Sequence, residues 1–328
     1  MPHYDTPRKI MTETSEKSLL SPFTETVPCP VCGQWAHTMI KESTYDSHIS
    51  EQELRKIYCA SSDKTLLDPL VRCRGCGLVY LNPRVKQAII LDGYRSAQDP
   101  LFIAQNEARI STFKKCLQGI MRRHTISPQT HPAVLDIGCA GGAFPKAASD
   151  LGFHPVGLEP SAWMAAQARQ RYGLDIRSGL LEEADFGDTR FDMITLWDVI
   201  EHMADPGQAL QRIRSLLTER GVLIINYPDH ASIARRLLGF RWPFFLSVHL
   251  YYFDPGTMTQ LLANHGFQVR EIRTHWQKLA LGYLLKRASA YFPVVGHLAR
   301  WVENRRIGRY AVSYNMGQTL VVATRNDL

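Results

Sequence analysis

Two acids bracket a turn of small residues. In "AVLDIGCAGGAF", residues 133–144, an apolar β-branched run ends at Asp136 and turns through Gly138, Cys139, Ala140, Gly141 and Gly142. A second apolar run, "HPVGLE", ends at Glu159. An acid about twenty residues beyond a glycine turn is placed to take the two hydroxyls of a ribose. The dinucleotide fingerprint G-x-G-x-x-G fails, because from Gly138 its later glycines fall on Ala140 and Ala143. A phosphate loop fails as well, since no G-K-[ST] follows. Asp136 at the mouth of the turn repels phosphate and favours an amine or another positive centre. The pair therefore calls for a nucleoside that carries a cationic or zwitterionic group, a description that S-adenosylmethionine meets.

Two further sets of side chains could do chemistry. "CPVCG" and "CRGCG" supply Cys29, Cys32, Cys73 and Cys76, two C-x-x-C pairs suited to one tetrahedral structural zinc. The gap between the pairs predicts an excursion over residues 33–72. Cys59, Cys116 and Cys139 are left as ordinary thiols. Glu201 and His202 follow the run "FDMITLW", and His249 lies in "HLYYFDP". His202 or His249 is the expected base, with Glu201 beside it and Tyr251 and Tyr252 shaping the pocket.

Elements must bring these residues together. From Ala133 the chain alternates strand and helix: strands "AVLDI", "HPVGLE", "DIRSG", "FDMITLW" and "GVLIINY", with helices "FPKAASDLG", "AWMAAQARQRYG" and "PGQALQRIRSLLTERG" between them. Ser161 and Asp254 are expected N-caps, the latter followed by Pro255. "FQVREIRT" and "QTLVVATR" close the series. Alternation with buried strands predicts an α/β fold, a doubly wound, mostly parallel sheet with helices on both faces. Ligands then bind beyond the carboxyl ends of the strands, where the strand order reverses. Ahead of this lie a disordered tail over residues 1–24, the cysteine segment over 25–85 and a helical stretch over 86–129. That stretch carries Ile103, Ile110, Phe113, Leu117 and Ile120 on one face.

"VLDIGCAGGAF", "GLEPS", "FDMITLWDVIEHMADP" and "GVLIINYPD" together resemble the class I S-adenosylmethionine-dependent methyltransferases over residues 130–328. The resemblance implies that Asp136, Gly138, Cys139, Ala140 and Gly142 surround the methionine end of the cofactor and that Glu159 binds the ribose. It also implies that Leu180 and Leu181 wall the adenine, with Trp197 and Asp198 beside the methyl donor. Two departures stand out. Ala140 replaces a usual glycine, which is tolerable if φ is not positive there, and the usual acid after the third strand is missing. "CRGCGLVYLNPR" further resembles the zinc-binding segments that precede this domain in bacterial enzymes methylating sugars, polysaccharide precursors and natural-product intermediates.

Composition narrows the partners. The 328 residues are 45% hydrophobic and 21% charged, with net charge +7 and seven cysteines. The polar N-terminus carries no apolar signal core, so the expectation is a cytoplasmic protein with reduced thiols. Between Arg270 and Tyr310, nine Lys or Arg face only Glu271 and Glu303. The basic, aromatic stretch over residues 276–315 reads as an insertion that lies on an anionic membrane surface or clamps a phosphate-bearing or lipid-linked acceptor. Its aromatic residues include Trp276, Tyr283, Tyr291, Phe292 and Trp301. Two other functions were weighed. Nucleic-acid methylation is disfavoured because "DVIEHM" stands where base-amine methylation often uses Asn/Asp-Pro-Pro-aromatic. A non-catalytic interaction module is disfavoured by the intact Asp136, Gly138 and Glu159.

Overall fold

The computed structural model describes residues 22–46, 49–58, 65–124, 126, 131–289, 294–303 and 305–326. Residues 1–21 of the expected disordered tail lie outside these, as do Cys59, Tyr291 and Phe292. Residue 24, the last of that expected tail, begins a short strand, Thr24–Glu25, paired with Arg84–Val85.

A seven-stranded sheet carries the expected doubly wound α/β fold. Its spatial order is Phe267–Thr274, Gln318–Arg325, Leu217–Pro228, Phe191–Trp197, Ala133–Ile137, His154–Glu159 and Asp175–Ser178. The five strands from Leu217–Pro228 onward in this order run parallel. Gln318–Arg325 is antiparallel to both of its neighbours. Strand order reverses between Ala133–Ile137 and Phe191–Trp197, so the turns after these two strands border the crevice where ligands bind. Val134, Leu135, Ile194, Leu196, Leu223, Ile224 and Ile225 are fully buried in the sheet, which is why these strands read as continuous apolar runs.

Helix ends follow from local chemistry. The Ser161 hydroxyl accepts from Met164 N at 3.1 Å and Gly173, at φ 65°, closes the helix Ala162–Tyr172. Asp254 caps Pro255–Asn264, accepting from Thr257 N at 2.8 Å. One expected helix is shorter than its pattern. The helix from Pro206 stops at Leu216, because Leu217 turns extended and pairs with Phe191 as the first residue of the next strand. The helix Asn106–His124 is longer at its far end than the apolar face from Ile103 to Ile120 implied, with Pro100–Ile103 forming a separate short turn.

The cysteine segment is not packed as a separate body. Its four-stranded sheet, His37–Lys41, Leu70–Cys73, Val79–Leu81 and Tyr251–Tyr252, takes its last strand from beyond the fifth strand of the main sheet. Leu66 N and Leu81 N donate to Phe245 O and Leu250 O, and Asn264 Nδ2 donates to Val31 O at 2.6 Å. The same strand assignment corrects the reading of Tyr251 and Tyr252. Both are buried, with the Tyr251 hydroxyl on Ala204 O and Arg84 and the Tyr252 hydroxyl on Leu246 O. They form the edge strand of the four-stranded sheet and do not line the pocket.

Residues 276–315 form a two-stranded hairpin, Gln277–Ala280 with Ala311–Tyr314, that carries the helices Leu281–Ser289 and Val295–Glu303. The hairpin docks on the long helix through Lys278 N to Thr112 Oγ1 and Ala280 N to Gln105 Oε1, both 3.1 Å.

Ser161 has two roles, since its buried hydroxyl also donates to Ala97 O at 2.7 Å. Ser161→Ala loses a cap and a buried hydrogen bond. We expect a destabilisation of about 2 kcal/mol in urea unfolding; a loss below about 0.5 kcal/mol would refute the double role.

Candidate functional site

A cavity of about 600 Å³ opens at the carboxyl ends of the parallel strands. The turns after the first, second and fourth strands of the main sheet wall one end through Gly138, Ala140, Glu159, Pro160, Trp197 and Asp198. Gly179, Leu180, Leu181 and Glu182 continue that wall after the third strand. The rest is apolar for the most part, with Ile90, Leu91, Phe244, Leu246, Val248, Leu279 and Leu284 among its residues.

Glu159 organises the turn end. Its two oxygens accept from Ala140 N at 2.8 Å and Ser161 N at 2.9 Å, which leaves a lone pair on each for a ligand hydroxyl. Burial pushes its carboxyl up to about 7, against the pull of those two N–H groups. Because Ala140 N donates to this acid, the turn adopts a left-handed backbone at Gly138, Ala140 and Gly142, with φ of 70°, 47° and 77°. The condition under which alanine is easily tolerated at 140 is therefore not met. A left-handed alanine costs about 1–2 kcal/mol relative to its ordinary conformations, and the Glu159 bond holds it there. Gly138 has a second reason to be glycine, since a Cβ would stand 2.6 Å from Val199 Cγ2.

Three residues expected around the cofactor are absent from the cavity wall. Asp136 sits beneath the turn, 1% exposed, accepting from Thr195 Oγ1 at 2.6 Å. Burial pushes its carboxyl up to about 8, with Thr195 and Arg109 opposing and Glu159 adding to the rise. Cys139 faces away from the cavity, packed with Ala165, Ala168 and Ile176. Gly142 is the N-cap of the helix Ala143–Ser149 and packs on Ala168 and Tyr172.

Asp198 lies on the wall with φ 56°. It accepts from Asn226 Nδ2 at 2.7 Å and Gln318 Nε2 at 2.9 Å. Trp197 packs its ring against Phe113 and Phe144, at centroid distances of 4.8 and 5.2 Å.

Sequence reasoning missed Arg109. It projects from the helix Asn106–His124 onto the wall, with its guanidinium 4.2 Å from the Phe102 ring centre. Its Nη1 is buried with no partner, and burial pulls the group below its ordinary value despite the nearby Asp198. The available signal was a cation one turn before Phe113, on the apolar side of the helix. Asn106, also missed, fixes the glycine turn by donating to Gly141 O at 2.7 Å. Tyr94, on the helix Gln87–Arg95, places its hydroxyl 2.6 Å from His202 Nδ1.

The three expected catalytic residues come together. Ligand atoms of Glu201, His202 and His249 lie within 4.8 Å of one another. His202 Nδ1 stands 2.7 Å from Val248 O and His249 Nδ1 2.7 Å from Phe244 O. These carbonyls assign the ring proton to Nδ1 in each and leave Nε2 as an acceptor. Burial pushes His202 down to about 4 and His249 well below its usual value, so both are neutral near pH 7. Both histidines line the cavity, and Glu201 does not. Its carboxyl is 1% exposed, neither oxygen has a hydrogen-bond partner, and burial and Asp198 push it well above the usual carboxylate range. Glu201 therefore lies beside the two imidazoles, as expected, but buried behind them and away from the cavity wall.

The four cysteines of the N-terminal pairs also converge. Cys29 Sγ and Cys76 Sγ are 3.5 Å apart, Cys32 Sγ and Cys73 Sγ 3.4 Å, and all four lie within 4.8 Å. Thiolates at about 2.3 Å on a tetrahedral zinc stand about 3.8 Å apart. The glycine after each pair, Gly33 at φ 73° and Gly77 at φ 83°, closes a tight turn by donating to Cys29 O and Cys73 O.

Comparison with known proteins gives the following. The family described as "Methyltransferase domain" matches residues 108–272, 165 of the 328. The ubiquinone biosynthesis O-methyltransferase of Rhodopseudomonas palustris (strain TIE-1) is 33% identical over 97 residues, 28% of this chain and 38% of that protein. Its namesake in Azorhizobium caulinodans is 33% identical over 99 residues, 28% of this chain and 39% of that one. The matches therefore span well under half the length of these curated relatives. Among solved structures, magnesium protoporphyrin IX methyltransferase from Synechocystis PCC 6803 with bound SAH is 14% identical. It covers 73% of this chain and 100% of that chain, with a TM-score of 0.47.

Asp136 and Glu159 both hold protons more tightly in the folded ligand-free protein than in the unfolded chain, with carboxyls raised from 3.8 to about 8 and from 4.5 to about 7. The stability they contribute is fully present below the unfolded values and is lost as pH rises through the folded ones. Ligand-free wild type should therefore lose stability, relative to Asp136→Asn, as pH rises from about 4 to about 8. Urea midpoints across that range check this; parallel curves for the two proteins would contradict it.

Proposed function

Because this chain belongs to the methyltransferase-domain family, we propose that it transfers a methyl group from S-adenosylmethionine to a small-molecule acceptor held in the apolar part of the cavity. The observation that carries the reading is Glu159, fixed by two backbone N–H groups with a free lone pair on each oxygen at the wall. Arg109 adds to it, as a buried guanidinium with an unpaired Nη1 on the same wall. An unpaired buried donor calls for an acceptor, and a carboxylate supplies one. In this reading Glu159 holds ribose hydroxyls and Arg109 the methionine carboxylate. Gly138 and Ala140 leave room for the ligand, Leu180 and Leu181 flank the adenine, and Asp136 answers the cationic end from beneath.

S-adenosylmethionine, when bound, supplies an already activated sulfonium methyl. What remains for the chain is alignment and proton handling. His202 Nε2, bare and neutral, takes the proton of an acceptor hydroxyl or acidic carbon. Val248 O and Tyr94 fix the ring's orientation, and Glu201, with Oε1 4.0 Å from Nε2, is the buried carboxyl beside the imidazolium that forms. His249 is the second imidazole of the pair.

The acceptor class is proposed from the wall. Phe244, Leu246, Val248, Leu279 and Leu284 favour apolar surface over a bare sugar. A sugar, polysaccharide precursor or natural-product intermediate fits if it carries an apolar or lipid portion. The four thiolates are proposed to hold one zinc, which would tie the two C-x-x-C turns together and support folding of the N-terminal sheet.

Calorimetry with S-adenosylmethionine tests the cofactor half. Glu159→Ala and Arg109→Met should each weaken binding about tenfold or more, the worth of a charge-assisted hydrogen bond. His202→Gln should keep cofactor affinity and lose turnover. Unchanged affinity in both Glu159→Ala and Arg109→Met would remove the site assignment.

Metal analysis of freshly purified protein should find one zinc per chain, lost in Cys29→Ser and Cys76→Ser with unfolding of the N-terminal sheet. Zinc-free wild type that melts like the metal-bound protein would end that proposal.

A further inference from the structure

The wall of the cavity is made in part by residues 276–315, and residues 232–241 lead directly into Pro243 and Phe244 on the same wall; the outer surfaces of both segments are unlike the rest of the molecule. Thirteen large apolar side chains are exposed among the described residues, and nine of them fall within residues 232–241 and 276–315. The helix Ile233–Leu238 buries none of its residues. Ile233 and Leu237, one turn apart on the same side, are 75% and 82% exposed. A helix in a water-soluble fold ordinarily turns such a stripe inward. The helix Val295–Glu303 buries the small Ala299 and Val302 and leaves Leu298 and Trp301 outside.

Charge accompanies the apolar stripe. Residues 232–241 hold Arg235, Arg236 and Arg241 with no acid, and residues 276–315 hold seven Lys or Arg against Glu303 alone. Arg305 lies over the Trp301 ring at 4.4 Å, a pairing of aromatic body and cationic tip suited to a headgroup boundary. The two segments adjoin. Trp242 Nε1 donates to Met316 O at 2.6 Å, and Ser232 packs against Gly317. Residues 276–315 meet the cavity through Tyr283 and Leu284, and Pro243 and Phe244, which follow residues 232–241 in the chain, line it as well. No helix among the described residues is long and apolar enough to cross a membrane, so contact through these helices would be lateral.

We propose that residues 232–241 and the described residues of the 276–315 region (276–289, 294–303 and 305–315) together form a docking surface for an anionic lipid bilayer, and that the acceptor is an amphiphile taken from that bilayer into the adjoining cavity. The second half rests on the methyl-transfer reading. A nucleic acid would use the arginines and leave Ile233, Leu237 and Val294 in water. A bilayer uses both, burying the apolar stripe below the headgroups while the arginines meet lipid phosphates.

Vesicle flotation of the full chain tests this, with phosphatidylcholine alone and with phosphatidylglycerol added. Wild type should float with the anionic vesicles, float less with the neutral ones and detach as salt rises. Leu237→Asp and Trp301→Ser, both at exposed positions outside the cavity, should each lower partitioning by about tenfold or more, the effect of failing to bury one large apolar side chain. Brominated acyl chains should quench tryptophan emission in wild type, and less so in Trp301→Phe. The proposal is overturned if wild type stays in solution, if it floats equally with both vesicle types, or if both variants bind like wild type. RNA binding that survives both substitutions, without flotation, would assign the charge to nucleic acid instead. Calorimetry with S-adenosylmethionine on the same preparation separates the two readings. Cofactor binding without flotation removes the membrane surface alone, and flotation without cofactor binding removes methyl transfer and leaves the surface.

Discussion

One carboxylate holds the strand-ending turns at the cavity in shape. Glu159 ends the second strand and takes one backbone N–H from the glycine turn at Ala140 and another from its own turn at Ser161. Two strand-to-helix turns, each free to adopt several conformations alone, are thereby locked to each other. The left-handed backbone of Ala140 depends on it, and so does the orientation of Ser161, which caps the next helix and bonds to Ala97. Burial raises the carboxyl against the pull of those hydrogen bonds. A ligand offering hydroxyls or a positive centre opposes that rise and favours the ionised form.

Much of the sheet was legible because its physics is local. Runs such as "AVLDI" and "FDMITLW" are apolar at most buried positions, and Ser161, Asp254 and Pro255 announce helix starts by side-chain chemistry alone. The end of the helix at Leu216 was not legible. "SLLTERG" continues a helical pattern, and only the pairing of Leu217 with Phe191 across the sheet ends it. Tyr251 and Tyr252 were misread for a related reason. Their neighbours in sequence face the cavity, yet their partners are Val79 and Tyr80, far back in the chain. Asp136 and Glu159 were found from spacing, but spacing cannot tell an acid on the wall from one beneath it. Arg109 escaped because an arginine on an amphipathic helix ordinarily reaches water, and its environment is made by Phe102, Phe113 and the hairpin that docks later.

The site divides by origin. The wall around Glu159 comes from the strand-ending turns inside residues 108–272, the region that the family match covers. The remaining wall draws heavily on residues outside it. Ile90, Leu91 and Tyr94 come from a helix before the match, and Leu279, Tyr283, Leu284 and Tyr314 from the hairpin and helices after it. Pro243, Phe244 and Leu246 lie inside the match but in the segment tied to the cysteine sheet by Leu66 N to Phe245 O and Leu67 N to Ser247 Oγ.

In the proposed reading, that division separates donor from acceptor. A ribose acid, a close backbone and a cation-compatible floor would all be properties of turns in one sheet, and the acceptor would be met by surfaces that the N-terminal segment and the 276–315 hairpin bring to the same cavity. The cysteine cluster takes part at a distance, because the sheet it anchors shares the strand Tyr251–Tyr252 with the segment that carries His249 and Val248. Val248 O fixes the His202 ring. Loosening the cysteine turns would thus reach the imidazole pair through one strand and one carbonyl, so a segment far from the cavity in sequence is coupled to its chemistry.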